Sequence, residues 1–258
     1  MAKQEGLIKL KGTVGDLSFY KTKDGHLARM KGGVDAERIK NDPAFERTRE
    51  NGAEFGRAGK AGKLLRDALR GFIKNGSDGR MTSRLTGAMM KVVKADATST
   101  RGQRNVLDGE LELLEGFEFN NEAKLGTSYF KQVASTLDRA EGKGEVSFGV
   151  ITPKVDFGYP EGATHVRLVS GVATVDFEAE TFELSVAVPN QLSVLSEVPT
   201  AQEVVLSSSF KKAETKPLFL VLGVEFYQEV NGELYSLKNG QYNSVTLVKV
   251  SGLAQPQG

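Results

Sequence analysis

From about Thr127 onward the chain is written in short runs that alternate apolar and polar residues, at 128–138, 144–151, 164–170, 172–178, 181–188, 202–209, 217–229 and 242–250. Turn residues separate most of them, including Gly142-Lys143-Gly144, Ser170-Gly171, Asn231-Gly232 and Asn239-Gly240. Alternation puts every second side chain on one face of a sheet, and its repetition between turn signals predicts antiparallel strands joined by hairpins. The stretch from Val224 to Tyr235, centred on Asn231-Gly232, reads as one such hairpin. Seven or eight strands in roughly 125 residues match an immunoglobulin-like β-sandwich. The sequence has no Cys and no Trp, so it lacks the diagnostic Cys-Trp-Cys pattern and the expectation is architectural only.

The N-terminal part has a different rhythm. Leu7-Ile8-Lys9-Leu10-Lys11, Leu17-Ser18-Phe19-Tyr20-Lys21 and His26-Leu27-Ala28-Arg29-Met30 predict a small β-meander, with turns at Gly12, Gly15 and Lys23-Asp24-Gly25 and an end at Lys31-Gly32-Gly33. Three short strands bury little by themselves, so such a sheet leans on something else, and its edges are natural docking points. Asp42-Pro43 then signals a helix start. Apolar residues recur at three- and four-residue steps as far as Ile73, and Asn75-Gly76 stops the run. Gly52, Gly56, Gly59 and Gly62 fall along one face of this helix. Each interior Gly costs about 1 kcal/mol relative to Ala, which leaves two explanations: close approach of another helix, or a break near Gly52 or Gly59.

A second helix is expected after Ser77 or Asp78, burying Met81, Leu85, Met89, Val92 and Val93, followed by a polar loop carrying Arg101 and Arg104. Leu111 to Phe119 is ambiguous and strongly acidic. The fold class predicted is α+β, in which a small N-terminal β-meander and helical hairpin precede an antiparallel immunoglobulin-like β-sandwich. The expected division is a basic domain over 1–120 and an acidic one over 121–258.

Charge sharpens this division. The formal net charge of +1 hides 23 basic and 12 acidic residues in 1–105, against 11 basic and 21 acidic in 106–258. Halves of +11 and −10 imply a basic face for a polyanion, head-to-tail attraction between copies, or two separately solvated domains.

Composition excludes much chemistry. Without Cys there is no disulfide, thiol nucleophile, zinc ribbon or iron–sulfur cluster, and two separated His leave little for a triad or a His-rich metal site. The basic run Gly56-Arg57-Ala58-Gly59-Lys60-Ala61-Gly62-Lys63-Leu64 fails as a phosphate loop, because five residues separate Gly56 from Gly62 and Leu64 stands where a hydroxyl must hold magnesium. Acids at Glu110, Glu112, Glu115 and Glu118, and at Asp176, Glu178 and Glu180, have no calcium-loop spacing. His165 sits in an alternating strand. No enzyme activity and no cofactor are expected.

What remains is surface. The assembly interface expected from the sequence comprises Gly52, Gly56, Gly59 and Gly62 with Arg57, Lys60 and Lys63. A polyanion contact is the alternative, through Lys21, Lys23, Arg29 and Lys31 with Phe19 and Tyr20 interleaved. Against it, Glu46, Glu50, Glu54 and Asp67 stand among the helix cations at pairing distance, and no nucleic-acid-binding signature accompanies them.

Gly12-Thr13-Val14-Gly15-Asp16-Leu17-Ser18-Phe19-Tyr20, Asp24-Gly25-His26-Leu27-Ala28-Arg29 and Asn41-Asp42-Pro43-Ala44-Phe45-Glu46-Arg47-Thr48 resemble the opening of a family of uncharacterised bacterial proteins. In that family an Asn-Pro-type helix start follows a hairpin, and the C-terminal β region ends in a "PLKNG"-like hairpin. Here that hairpin is Ser236-Leu237-Lys238-Asn239-Gly240, with Ser236 in place of the Pro. The plan also resembles subunits of phage-like particles, tails and filaments. Neither resemblance carries catalytic or binding residues. The charge split, the glycine-striped helix and the open edges of the small N-terminal sheet point to a non-enzymatic structural subunit that assembles with copies of itself into a filament, tube or shell. The alternative is a nucleic-acid-binding or packaging protein using the basic half. The polar start at Met1 to Gly6 is no signal-peptide core and the apolar run at Pro217–Val224 is too short to span a bilayer. Synthesis in the cytoplasm is expected, with export or release as part of an assembly left open.

Overall fold

The computed structural model describes residues 2–22, 25–30 and 32–253, the side chain of Lys238 excepted. The protein mixes helices with antiparallel sheets. Its contacts divide the chain into two units, Met1–Glu50 and Asn51–Gly258.

In the first unit β1 (Ala2–Lys3), β2 (Gly12–Val14), β3 (Leu17–Thr22) and β4 (Gly25–Met30) form an antiparallel sheet in the order β1-β4-β3-β2. Helix α1 (Ala36–Asn41) follows, with the Asp35 carboxylate accepting from the Glu37 N–H at 3.0 Å. Asp42 caps a 3-10 turn, Pro43–Phe45, rather than the long helix itself, and accepts from the Ala44 N–H at 2.9 Å. Arg49 ties these turns together by donating to the carbonyls of Ile39 and Asp42 at 2.7 and 2.9 Å. The meander expected from the sequence is corrected at one point. Leu7-Ile8-Lys9-Leu10-Lys11 is not a strand, because no neighbouring strand pairs with it. Gln4 clasps the segment instead, its side chain accepting from the Leu10 N–H at 2.8 Å.

Helix α2 (Glu46–Ala68) carries the chain across the division and runs unbroken through all four glycines, so the break considered at Gly52 or Gly59 does not occur. The helix is interrupted at Leu69 and resumes as α3 (Arg70–Asn75). It stops at Gly76, where a Cβ would stand 2.8 Å from Val245 Cγ2. Helix α4 (Met81–Ala95) buries Met81, Leu85, Met89, Val92 and Val93, as its periodicity predicts. After a 3-10 turn at Leu111–Leu114 and the short α5 (Leu125–Ser128) come β5 (Ala134–Asp138), β6 (Lys143–Ser147), α6 (Pro153–Asp156) and β7 (His165–Asp176). The chain continues through β8 (Thr181–Val186), β9 (Asn190–Ser193), β10 (Val205–Ser209), β11 (Leu218–Val230), β12 (Glu233–Ser236) and β13 (Ser244–Ser251).

Two sheets result. One is three-stranded, β10-β6-β5. The other is built on the long antiparallel pair β7 and β11, with β8 and β9 flanking β7 and with β12 and β13 flanking β11. The central pair is buried on both faces, and period two sorts its side chains. Val166, Leu168, Val172, Leu218, Leu220, Leu222, Val224 and Phe226 share a core with Val146 of β6 and Leu206 of β10. Val169, Ala173, Val175, Phe219 and Val221 face the other way, into a core with Leu65, Leu69, Phe72, Leu85, Met89 and Val93. Helices, six-stranded sheet and three-stranded sheet are therefore successive layers of one body.

One sequence expectation is corrected here. Ser170-Gly171 is mid-strand rather than a turn, because the runs at 164–170 and 172–178 are one strand paired with β11 from His165 to Thr174. Gly171 is needed there for closeness: a Cβ would meet Phe72 Cζ at 3.1 Å and the Ser185 carbonyl oxygen at 2.9 Å. Helices α2 and α4, from the stretch expected as the basic domain, share a core with β7, β11 and β13.

Candidate functional site

Helix α2 carries the residues that the sequence singles out for assembly. Gly62 is buried, and a Cβ there would make ordinary contact with Leu85 and Met89 at 3.7 Å. Gly52 and Gly56 are exposed and Gly59 is partly so, and a Cβ on any of the three would meet no atom within 4 Å. Packing inside the chain thus accounts for one glycine of the four. Phe55, on the same helix, is 58% exposed.

The cations of the helix are mostly engaged. Arg57 donates to the carbonyls of Gly102 and Arg104, the latter at 2.6 Å, and Lys60 pairs with Glu180. Lys63 is exposed. Arg47 pairs with Glu50 at 3.0 Å. One turn before Arg57, Glu54 is 1% exposed and takes a two-pronged contact from Arg104, at 2.8 and 2.9 Å, and the Gly102 N–H at 2.8 Å. The Arg104 hydrogen bonds hold the Glu54 carboxyl below the usual carboxylate range, against the opposing effect of burial. Residues 96–109 are fastened at their start by Asp96. Burial opposes its ionisation, yet N–H donors of Ser99, Asn105 and Thr98 outweigh that and hold its carboxyl well below the ordinary value. The sequence reading marked Arg101 and Arg104 only as loop cations. Arg101 donates to Asn51 at 3.0 Å, and a basic loop residue facing a lone helix Glu fifty positions away leaves no local signal.

Beside this loop a cavity of about 400 Å³ opens between Leu64, Val106 and Phe177, with Arg57, Lys60 and Glu180 at its walls. Arg57 is held by carbonyls, Lys60 pairs with Glu180 and Asp108 accepts from Asn105, while Glu178 makes no ion pair among the described residues, so most of its charge is already engaged.

Of the possible polyanion contacts, the two among the described residues, Lys21 and Arg29, do not share a face. In the β3–β4 ladder Lys21 pairs with His26, on the face that carries Phe19, and Ser18 pairs with Arg29. Period two puts Lys21 and Arg29 on opposite faces of the sheet. Arg29 lies 5.5 Å from the centre of the Tyr20 ring. Lys23 and Lys31 lie outside the described residues.

The acidic clusters hold structure together. Glu112 accepts from the Gly252 N–H at 2.7 Å, Glu115 pairs with Lys249 at 3.2 Å, and Glu118 accepts from Thr246 Oγ1 at 2.5 Å. The ambiguous stretch 111–119 is therefore a strap along β13, with Gly116 and Phe119 donating to the carbonyls of Leu247 and Val245 at 2.7 and 2.8 Å. Asp176 pairs with Lys216 at 3.2 Å, and His165 lies 3.0 Å from Thr164 Oγ1 and 3.6 Å from Glu229. A buried polar knot that the sequence reading did not single out lies on β7 and β11. Glu225, 2% exposed, accepts from Arg167 at 2.6 Å, from the Tyr227 hydroxyl at 2.7 Å and from Asn75 of α3 at 2.9 Å.

Among the described residues no group of three or more His, Cys, Asp or Glu is placed to hold a metal ion, and no helix is long and apolar enough to cross a membrane. The first unit differs in kind from all of this. None of its described residues is buried, while Leu7, Ile8, Leu10, Val14, Leu17, Met30 and Val34 are exposed. No protein-family model, no curated protein and no solved structure matches this chain.

Proposed function

We propose that the protein is a non-enzymatic structural subunit that assembles with copies of itself into a filament, tube or shell, through contacts between its basic and acidic halves. One observation carries this reading: the Met1–Glu50 unit has a four-stranded sheet, seven exposed large apolar residues and no buried residue among those described. A sheet without a core is at best marginally stable alone, and burying such side chains is worth about 1.5–3 kcal/mol each. A partner surface supplies that burial. The open glycine face of α2, with Arg57, Lys60 and Lys63 beside it, adds a surface on which another molecule's backbone can approach closely.

The larger unit is the rigid body of this subunit. Its two sheets enclose a shared core, and we read them as an immunoglobulin-like sandwich with helices on the outer face of the wider sheet. A basic surface on one copy and an acidic one on the next make a heterologous contact, which repeats without closing unless the rotation brings the ring back on itself. The polyanion reading has less support, because Lys21 and Arg29 face apart and Arg57, Lys60, Arg84 and Arg104 are occupied within the chain.

Sedimentation velocity across protein and salt concentration tests the reading, followed by negative-stain microscopy of the largest species. The expected result is a concentration-dependent series beyond the monomer that recedes with added salt. A monomer under every condition overturns it, and salt-sensitive retention on DNA by that monomer turns the assignment to the nucleic-acid alternative.

A further inference from the structure

Resting on the assembly reading, we infer that the Leu7–Lys11 segment of one copy adds as an antiparallel strand to the open edge of β8 in a second copy. The donor is written as a strand and has none to pair with. Leu7-Ile8-Lys9-Leu10-Lys11 alternates, yet it lies outside the sheet, bent at Leu7 and Ile8, with Ile8 82% exposed and the Lys9 ammonium on the Gln4 carbonyl. Gln4 occupies the backbone of Leu10, while the backbone groups of Lys9 and Lys11 have no partner among the described residues. An apolar strand in water with unpaired backbone is a template for pairing with another chain.

The acceptor is the edge of the six-stranded sheet. β8 has β7 as its one strand neighbour, and the backbone groups on its other side make no hydrogen bond among the described residues. Phe182, Leu184 and Val186 lie on the face that β7 shares with the helices, and Phe182 and Val186 remain 42% and 53% exposed. Glu183 points to the opposite face and makes no ion pair among the described residues, and Glu178 and Glu180 stand in the turn before it.

The two patterns fit. In an antiparallel pairing that sets Ile8 beside Leu184, Leu10 falls beside Phe182 and Lys9 beside Glu183. Apolar side chains then continue the apolar face, and the lysine meets the free carboxylate on the other. A slip by two residues places Lys11 opposite Glu183 with the same sorting of faces. The occupant is a second copy because this chain carries both a basic segment with the alternation of a strand and an open acidic edge. Strand addition of this kind takes affinity from backbone bonds and specificity from alternate side chains.

The absence of Cys makes the test direct. One chain carrying Lys9→Cys and a separate chain carrying Glu183→Cys are mixed and oxidised. The expected product is a disulfide-linked heterodimer, absent when Gln103→Cys replaces Glu183→Cys. Glu183→Lys, at an exposed position, is expected to raise the concentration for half-assembly roughly tenfold or more, and Lys9→Glu with Lys11→Glu to restore it. If the unaltered chain is monomeric throughout, self-assembly itself fails. If it assembles, but no mixed disulfide forms and Glu183→Lys changes nothing, strand addition alone is overturned. A link that forms only within single chains carrying both cysteines also overturns it.

Discussion

Phe72 presses its ring tip against Gly171, with Cζ 3.1 Å from where a Cβ on that glycine would stand. The same ring reaches Gly223 on the neighbouring strand, where a Cβ would lie 3.7 Å from Phe72 Cδ1 and 2.7 Å from Val169 Cγ2. The pair of glycines is a flat seat on β7 and β11 into which α3 presses its one buried aromatic. Gly171→Ala is expected to cost about 1–3 kcal/mol by overpacking. Phe72→Ala is expected to cost about 3–5 kcal/mol by leaving a cavity. Urea unfolding of each variant and of the pair checks this, with the double variant costing less than the sum because the alanine methyl occupies part of the space the ring vacates.

Glu54 and Arg104 make the second testable pair. Glu54→Ala takes the buried carboxylate from the Arg104 guanidinium and the Gly102 N–H, both of which donate to it. Removing one partner of a buried ion pair costs about 3–5 kcal/mol. The loss should appear in the urea midpoint and as faster hydrogen exchange at Gly102, with exchange in β7 and β11 altered only as far as global stability falls.

These two contacts also explain what was legible in the sequence. Helix α4 was readable because Met81, Leu85, Met89, Val92 and Val93 sit on one face at local spacing. The Asn231-Gly232 hairpin was readable because both residues adopt the positive φ that such a turn requires, 54° and 83°. Ser170-Gly171 misled because Ser-Gly has the composition of a turn, while the reason for the glycine is a phenylalanine about a hundred residues away in sequence. Glu54 with Arg104, and Glu225 with Arg167 and Asn75, are likewise set by contacts across long sequence separations. Leu7–Lys11 has the pattern of a strand and is not one, because alternation holds no information about whether a neighbouring strand is there to pair with. The surfaces proposed for assembly stood out as charge and glycine spacing alone, while Arg57 and Lys60 are engaged within the chain.

Acid should weaken the protein in a defined direction. Asp96 and Glu54 have carboxyls held below their ordinary values in the folded chain. The unfolded chain therefore takes up protons first as pH falls, so the stability these groups contribute is complete above about pH 5 and drains away as pH falls through 4 and below. Urea midpoints at pH 7, 5, 4 and 3 should fall along that course. Asp96→Asn should lower the midpoint at pH 7, where it weakens the acceptor for three backbone N–H groups, and flatten the decline below pH 5.

The open face of α2 gives a prediction in which stability and assembly move in opposite directions. Gly52, Gly56 and Gly59 have no internal neighbour that a methyl would strike, and the helix backbone there is regular. Alanine at each should therefore stabilise the single chain by about 0.5–1 kcal/mol, since a mid-helix glycine loses that much to backbone entropy. If these glycines are kept bare so that a neighbouring copy can lie close, the same methyl groups stand between the two backbones. Gly52→Ala, Gly56→Ala and Gly59→Ala combined are then expected to raise the urea midpoint of the monomer while shifting the sedimentation profile toward smaller species. A gain in stability with an unchanged profile would remove this helix face from the assembly contact, and leave the strand addition at β8 to carry it.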